Sequence, residues 1–253
     1  MEVLGVDIGG SGIKAAPVDV TAGALTRERI KVPTPQPSKP KVVAEAVRGL
    51  VGQFGWSGKA GITFPGVVTD GVIRTAANLD PAWIGVDARD LFGSATGLEV
   101  QVINDADAAG KAEIQFGAGA GQQGTVVMLT FGTGIGSALF FNGVLVPNTE
   151  LGHIEIRGKD AEKRASERAR EAQDLDWAQW AGRVDEYMSH LEALLWPELF
   201  IVGGGVSRKS GKFLPLLAGL RARVVPAKML NDAGIVGAAL VGSGPAVPAP
   251  VGS

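Results

Sequence analysis

The chain has no cysteine among its 253 residues, which excludes disulfides, cysteine nucleophiles and thiolate metal sites. It has no dominant charge either. The 24 Lys and Arg stand against 26 Asp and Glu, a net charge of −2, so the chain lacks the basic field that nucleic acid demands, and any anionic ligand must be held locally. Long apolar runs are missing, none approaching the ~20 residues of a membrane span, and the first apolar run already contains Asp7. The expectation is a soluble, cytoplasmic protein with neither membrane nor nucleic acid as partner. None of the Gly-Lys pairs is followed by Ser or Thr, which removes the commonest nucleotide loop. A nominal dinucleotide fingerprint, Gly119-x-Gly121-x-x-Gly124, follows a helical pattern and precedes a strand. That is the reverse of the required context, and it reads as a loop.

Glycine, by contrast, is plentiful at 37 residues, and it gathers where strand-like runs break. Residues 3–8 lead into Gly9-Gly10-Ser11-Gly12, and residues 126–131 into Gly132-Thr133-Gly134-Ile135-Gly136. Without a Cβ the backbone can approach an anion closely, and consecutive N–H groups in such turns make a concave anion site. Asp7 and Thr130 hold the same place before the two turns. An Asp there offers oxygens to magnesium, and a Thr offers a hydroxyl to phosphate. Either turn alone is equally well explained as a tight hairpin. The pair points to a cleft with two phosphate-gripping turns.

Along the chain, strands are expected at 3–8, 13–20, 24–32, 59–64, 100–103, 126–131, 199–202 and 224–227, with a short pair around Asp70-Gly71. Helical spacing covers 41–54, 106–116, 160–171, 175–195, 212–220 and 234–241, the last capped by Asn231 or Asp232. The stripe Trp177, Trp180, Val184, Tyr187, Leu191, Leu194 and Leu195 reads as core. The expected organisation is a small lobe of residues 1–103 joined by the helix 232–241, a large lobe of 104–231, and a flexible tail of 242–253 rich in Pro, Gly and Ala.

The ordered motifs Asp7-Ile-Gly-Gly-Ser-Gly-Ile-Lys14, Pro65-Gly66, Asn78-Leu79 with Trp83, Asn104-Asp105-Ala106, Gly132-Thr-Gly-Ile-Gly136, Glu150-Leu-Gly-His153 and Gly203-Gly-Gly-Val-Ser207 resemble those of the ROK family of sugar kinases across nearly the whole chain. Through residues 150–160 the chain looks most like the family's polyphosphate glucokinases and polyphosphate/ATP-glucomannokinases. The resemblance implies an α/β, actin-like (ribonuclease-H-like) fold of two lobes with an interlobe cleft. It also implies phosphorylation of the 6-hydroxyl of glucose, with mannose as a second acceptor, from inorganic polyphosphate, ATP or both, with Mg2+ as cofactor.

Carried over residue by residue, the resemblance makes Asp105 the catalytic base and places Gly66, Asn78, Asn104, Glu150 and His153 around the sugar. A second sugar-facing acid falls at Glu162, with Glu155 competing. The transferred and donor phosphates fall to Gly9, Gly10, Ser11, Gly12, Lys14, Thr130, Gly132, Thr133 and Gly134. A nucleotide's far end falls to Gly203, Gly204 and Gly205, and Mg2+ to Asp7. One departure stands out. Many family members carry a zinc-binding cysteine motif after the Glu-x-Gly-His segment, and this chain has none, so no structural zinc is expected.

Each residue also has a plainer reading. Asp105 opens a helix and is equally an N-cap; Lys14 is equally a surface strand lysine; Glu150 and His153 are equally loop polar groups; the glycine triplet is equally a tight connection. Arg157, Lys159, Lys163, Arg164, Arg168 and Arg170, extended by Lys209 and Lys212, read either as a track for a long polyanion or as a solvated face interrupted by Asp160, Glu162, Glu167 and Glu171. Competing classes are an ATP-only hexose kinase, a sugar-responsive regulator, and a non-sugar actin-like ATPase or acyl-phosphate kinase. The regulator is set aside because the first phosphate motif begins at residue 4, where the family's repressors have a helix-turn-helix before it.

Overall fold

The computed structural model describes residues 1–77 and 79–244. In chain order its strands and helices begin with β1 (Glu2–Ile8), β2 (Gly12–Asp19), β3 (Ala24–Leu25), β4 (Ile30–Pro33), α1 (Pro40–Phe54), β5 (Ala60–Phe64), β6 (Val68–Thr69) and β7 (Val72–Ile73). Then follow α2 (Ala88–Thr96), β8 (Val100–Asn104), α3 (Asp105–Phe116), β9 (Thr125–Phe131), β10 (Ile135–Phe141) and β11 (Val144–Val146). The remainder is β12 (Glu155–Ile156), β13 (Lys159–Asp160), α4 (Glu162–Ala165), α5 (Glu167–Ala172), α6 (Trp177–Leu195), β14 (Leu199–Gly203), β15 (Arg223–Pro226) and α7 (Ala233–Gly242). The chain divides into two compact units, Met1–Ala112 with the segment from Asp232 onward, and Glu113–Asn231. The division falls inside α3 and not at 103/104, because α3 and α7 pack backbone to backbone: a Cβ on Gly237 would overlap the Ala108 carbonyl.

The first unit is built on a sheet in the order β3-β2-β1-β5-β8, with β4 also on β2. β1 and β2 are antiparallel, while β1, β5 and β8 run parallel. The parallel strands are largely apolar and mostly buried, as strands covered on both faces tend to be, with Asp7, Thr63 and Asn104 at or near their C-terminal ends. On one face lies α7, whose glycines and alanines let it sit directly on the strands; a Cβ on Gly61 would overlap the Ala238 carbonyl oxygen. α1 starts on Pro40 at its first turn, where a missing N–H is harmless, and stops at Gly55 in the left-handed region at φ 58°. Its Val43, Val47, Leu50 and Phe54 join Leu4, Val6, Ile62, Phe64, Trp83 and Phe92 in one core, each fully buried side chain contributing about 1.5–3 kcal/mol of transfer free energy.

The second unit repeats the theme with the order β11-β10-β9-β14-β15. β9 and β10 form an antiparallel hairpin, and β9, β14 and β15 are parallel. Against this sheet α6 lays Trp180, Val184, Tyr187, Met188 and Leu191, all buried with Phe131, Phe200 and Phe213; of the expected stripe, Trp177 and Leu195 are only partly buried and Leu194 is exposed, because the two ends of α6 run past the sheet. Asp176 caps α6 in a reciprocal box with Gln179.

Several expected elements come out differently. The helix over 160–171 is two short helices broken at Ser166, whose hydroxyl caps the second by accepting from the Ala169 N–H at 3.1 Å. No α-helix covers 212–220. Gly211, Pro215 and Gly219 leave only the 3-10 stretches Gly205–Lys212 and Leu214–Leu216. The strand over 24–32 is split between β3 and β4. α2 is new relative to the sequence reading. Asp232 precedes α7 without a side-chain cap bond, its carboxylate pairing instead with Arg29 at 2.6 Å. The tail residues 245–253 lie outside the described residues.

Candidate active site

The first glycine turn closes between the Ile8–Ile13 pair, with the Gly9 N–H donating to the Gly12 carbonyl at 3.0 Å. Thr34 holds it from the side by donating its hydroxyl to the Gly9 carbonyl at 2.5 Å. Asp7, one residue before the turn and half-buried, accepts from the Thr63 hydroxyl at 2.9 Å through one oxygen and from the Lys14 ammonium at 3.2 Å through the other. Lys14 therefore sits on Asp7, its cross-strand partner. Asp7 uses one acceptor position on each oxygen, and a carboxylate has about four lone-pair sites, so the donor set fits a hard cation such as Mg2+.

At the end of β8, Asn104 is buried and does two jobs. Its amide nitrogen donates to the Gly66 carbonyl at 3.0 Å, and its amide oxygen accepts from the Asp107 N–H at 3.0 Å. The N-cap of α3 is thus Asn104, which answers the plainer reading of Asp105. Asp105, the first helical residue, is half-buried and accepts from the Ala106 N–H at 2.9 Å. Gly66 has no room for a side chain, since a Cβ would overlap the Thr75 carbonyl oxygen. Asn78 lies outside the described residues.

In the second unit the turn closes between the Phe131–Ile135 pair, with the Gly132 N–H donating to the Gly134 carbonyl at 3.0 Å. Two outside groups clasp it. The Arg168 N–H donates to the Gly132 carbonyl at 3.1 Å, and Glu162 accepts from the Ile135 N–H at 3.2 Å with its carboxylate directly over Gly134. Just past the turn, Ser137 on β10 donates to the Thr149 carbonyl and accepts from the Leu151 N–H at 2.9 Å. These bonds dock the Glu150-Leu-Gly-His153 segment against the hairpin. His153 Nε2 is 3.7 Å from Glu150 and Nδ1 is 3.7 Å from Asp160. Burial pushes the Glu150 carboxyl up; His153 pulls it down and Glu162 pushes it up further.

The second unit thus assembles Glu150, His153 and Glu162 beside the second turn. Glu155, the competing acid, is an exposed residue of β12. Asp160 is the member that sequence reasoning did not single out. The β12–β13 hairpin returns it to His153 through Arg157 at φ 53° and Gly158 at φ 75°, a paired left-handed turn whose only sequence signal is the glycine. His153, Asp160 and Glu162 have ligand atoms within 4.8 Å of one another, a set able to hold a metal ion. The Asp160 oxygen facing His153 already receives the Lys163 ammonium at 2.9 Å, so this cluster carries its own cation.

Thr130 pairs across the hairpin with Gly136 and across the parallel ladder with Gly203. Gly203 enters the triplet, and Gly204 at φ 81° has its Cα against the Phe131 carbonyl, where a Cβ would clash. The basic run from 157 to 170 is largely spoken for. Arg157 and Arg164 both pair with Glu186 of α6, at 2.6 and 3.0 Å, and Lys163 with Asp160.

No helix among the described residues is long and apolar enough to cross a membrane. The model of the ROK family matches residues 3–173. The chain is 53% identical over 237 residues to a polyphosphate glucokinase of Mycobacterium tuberculosis, an alignment covering 93% of this chain and 89% of the relative. Its structure superposes with a TM-score of 0.91 on the inorganic polyphosphate/ATP-glucomannokinase of Arthrobacter sp. strain KM, at 50% identity over 94% of this chain and 97% of the other. A ROK family glucokinase of Streptomyces griseus, solved with glucose and AMPPNP, superposes with a TM-score of 0.79 at 27% identity, covering 94% and 98% of the two chains. Motif order, sheet topology and these likenesses agree: the chain belongs to the ROK family.

Proposed function

We propose that this chain transfers a phosphoryl group from inorganic polyphosphate or ATP to the 6-hydroxyl of glucose, with mannose as a second acceptor. The observation that carries the mechanism is the division of labour at the end of β8. Asn104 caps α3 and ties down Gly66, so the neighbouring Asp105 is not needed as the cap and takes the role of general base.

In this reading Asp105 accepts the proton of the sugar hydroxyl as that oxygen attacks phosphorus. Sugar hydroxyls both donate and accept. Asn104, Asn78, His153 and the acids Glu150 and Glu162 offer that mixture, with a backbone group at Gly66. Glu162 is favoured over Glu155 because it stands electrostatically beside Glu150, whose ionisation it perturbs. The glycine turns present N–H groups to phosphate oxygens: the first, with Ser11, to the transferred group, the second, with Thr130 and Thr133, to the phosphates behind it. Lys14 moves between Asp7 and phosphate, and Gly203, Gly204 and Gly205 border an adenosine when ATP is the donor. Mg2+ held by Asp7 would neutralise charge on the phosphates. We place the reaction in the cytoplasm, where the donors are.

Asp105→Asn tests the base. Turnover is expected to fall about 10²–10⁴-fold with glucose KM changed little; near wild-type turnover would refute the assignment. A coupled assay of glucose, mannose, N-acetylglucosamine and acetate against ATP and polyphosphate tests the class, and activity with acetate but not glucose would overturn it.

A further inference from the structure

Half of the basic run that the sequence offers for a polyanion, Arg157, Lys163 and Arg164, is neutralised by Glu186 and Asp160. Arg170, later in the same run, lies elsewhere, with Lys209 and Lys212. Around the half-exposed ring of Trp177 stand Arg170 at 4.5 Å, Lys212 at 5.5 Å and Lys209 at 5.9 Å from the ring centroid. Trp177 is held by stacking on Phe213, 6.2 Å between centroids and 16° between planes. Neighbouring acids take part of this charge: Glu167 lies 3.8 Å from Lys209 and Glu171 3.3 Å from Arg170. Among the described residues, Lys212 and Arg168 have no carboxylate within 4.0 Å. Arg170 Nε is buried without a hydrogen-bond partner.

An aromatic face attracts a cation without neutralising it and without consuming its N–H donors. Of the three cations at Trp177, Lys212 keeps its charge wholly available to an anion, while Arg170 and Lys209 share theirs with Glu171 and Glu167. The patch is also continuous with the second glycine turn. Arg168 begins at that turn, its N–H on the Gly132 carbonyl at 3.1 Å. The stretch Gly205–Lys212 that carries Lys209 and Lys212 starts where Gly204 packs on the Phe131 carbonyl. Glu167 reaches Gly205, a Cβ there lying 3.3 Å from its carboxylate. All of this lies within Glu113–Asn231.

We propose, resting on the donor reading above, that Arg168, Arg170, Trp177, Lys209 and Lys212 form a track for the distal phosphates of an inorganic polyphosphate chain leaving the second glycine turn. A nucleotide ends after three phosphates and has no use for such a track. A long polyphosphate continues past the turn with about one charge per phosphate, and its binding there releases counterions.

The test is the double variant Lys209→Gln/Lys212→Gln, assayed by glucose phosphorylation with long-chain polyphosphate, tripolyphosphate and ATP over a range of salt. KM for long-chain polyphosphate is expected to rise about tenfold, and the slope of log KM against log salt to fall by about two, one per charge removed. kcat and KM for ATP and tripolyphosphate stay within about twofold, which also reports that the variant is folded. An equal loss for all three donors, or no loss for long chains when the wild type uses them, overturns the track and leaves the donor reading standing. A wild type that turns over ATP but no polyphosphate overturns the track and removes polyphosphate from the donor reading.

Discussion

The two glycine hairpins share a backbone plan and divide its chemistry differently. Each joins the second strand of an antiparallel pair to a first strand whose other neighbour is parallel, β2-β1-β5-β8 in one sheet and β10-β9-β14-β15 in the other. Each turn opens with a glycine N–H bonded back across the turn. The first turn, closed by the Ile8–Ile13 pair, is one residue longer than the second, closed by Phe131–Ile135. Its acid is built into its own strand: Asp7 is fixed by Thr63 on the parallel neighbour and by Lys14 across the hairpin. In the second hairpin the matching place holds Thr130, opposite Gly136, and the acid is borrowed from α4 as Glu162. In the proposed function, the self-contained turn suits a cation that must sit at one place on every donor. In the same proposal, the turn clasped by Glu162 and Arg168 would tie phosphate contacts to the acids assigned to the sugar on one hand and to the Trp177 cations on the other.

The sharpest way to break this comparison is to neutralise the matching positions. Asp7→Asn is expected to cut kcat by about 10²–10³-fold, as loss of a charge-organising group in a phosphoryl-transfer site does, and to raise the magnesium concentration needed for half-maximal rate. Thr130→Val, which removes one neutral hydroxyl, is expected to cost less than about tenfold. Steady-state kinetics with a magnesium titration decide it; equal losses would mean the turns are not specialised. A smaller effect probes the clasp. Gly134→Ala drives a methyl into the Glu162 carboxylate and is expected to raise glucose KM about tenfold. Gly12→Ala meets the flexible end of Lys31, with Cε 2.7 Å away, and the Val32 carbonyl oxygen only at 3.4 Å, and is expected to stay within about threefold. If the two alanines behave alike, Glu162 does not link the second turn to the sugar.

What was legible in the sequence was whatever local chemistry dictates. Both hairpins were, because a glycine cluster interrupts an apolar run, and so were α1 and α6, whose apolar faces recur at helical spacing. α2 was not, for it is short and only Ala88 and Phe92 are buried; its one signal is Asp87, whose carboxylate accepts from the Asp90 N–H at 3.0 Å. The motif positions proposed for the sugar stand out in the sequence as a set, but their partners do not. Arg157 and Arg164 look available in sequence because Glu186 lies 29 and 22 residues away on another helix. Asp160 looked like an interruption of a basic run until the Arg157–Gly158 turn folded it back on His153. The cations of the Trp177 patch are drawn from two segments about forty residues apart, so no local pattern displays them.

The smallest expected effect separates the two acids gathered at the second turn. Burial holds the Glu150 carboxyl above its ordinary value, with His153 opposing and Glu162 adding to the rise. A carboxyl whose folded-state pKa lies above the unfolded one favours the folded state most below the unfolded value, near 4.5, and loses that contribution as pH rises through the folded value. At neutral pH the Glu150 charge therefore works against folding, weakly, because the group is partly exposed and screened. Glu150→Gln is expected to raise Tm by about 1 °C at neutral pH and to leave it unchanged below pH about 4.5, while weakening glucose binding. Glu162→Gln is expected to act with the opposite sign, lowering Tm by a few degrees at neutral pH because the charged acceptor of the Ile135 N–H is replaced by a neutral one. Thermal melts of both variants across pH check the pair. Shifts of the same sign would show that Glu162 is, like Glu150, merely crowded at the site and does not hold the second turn in place.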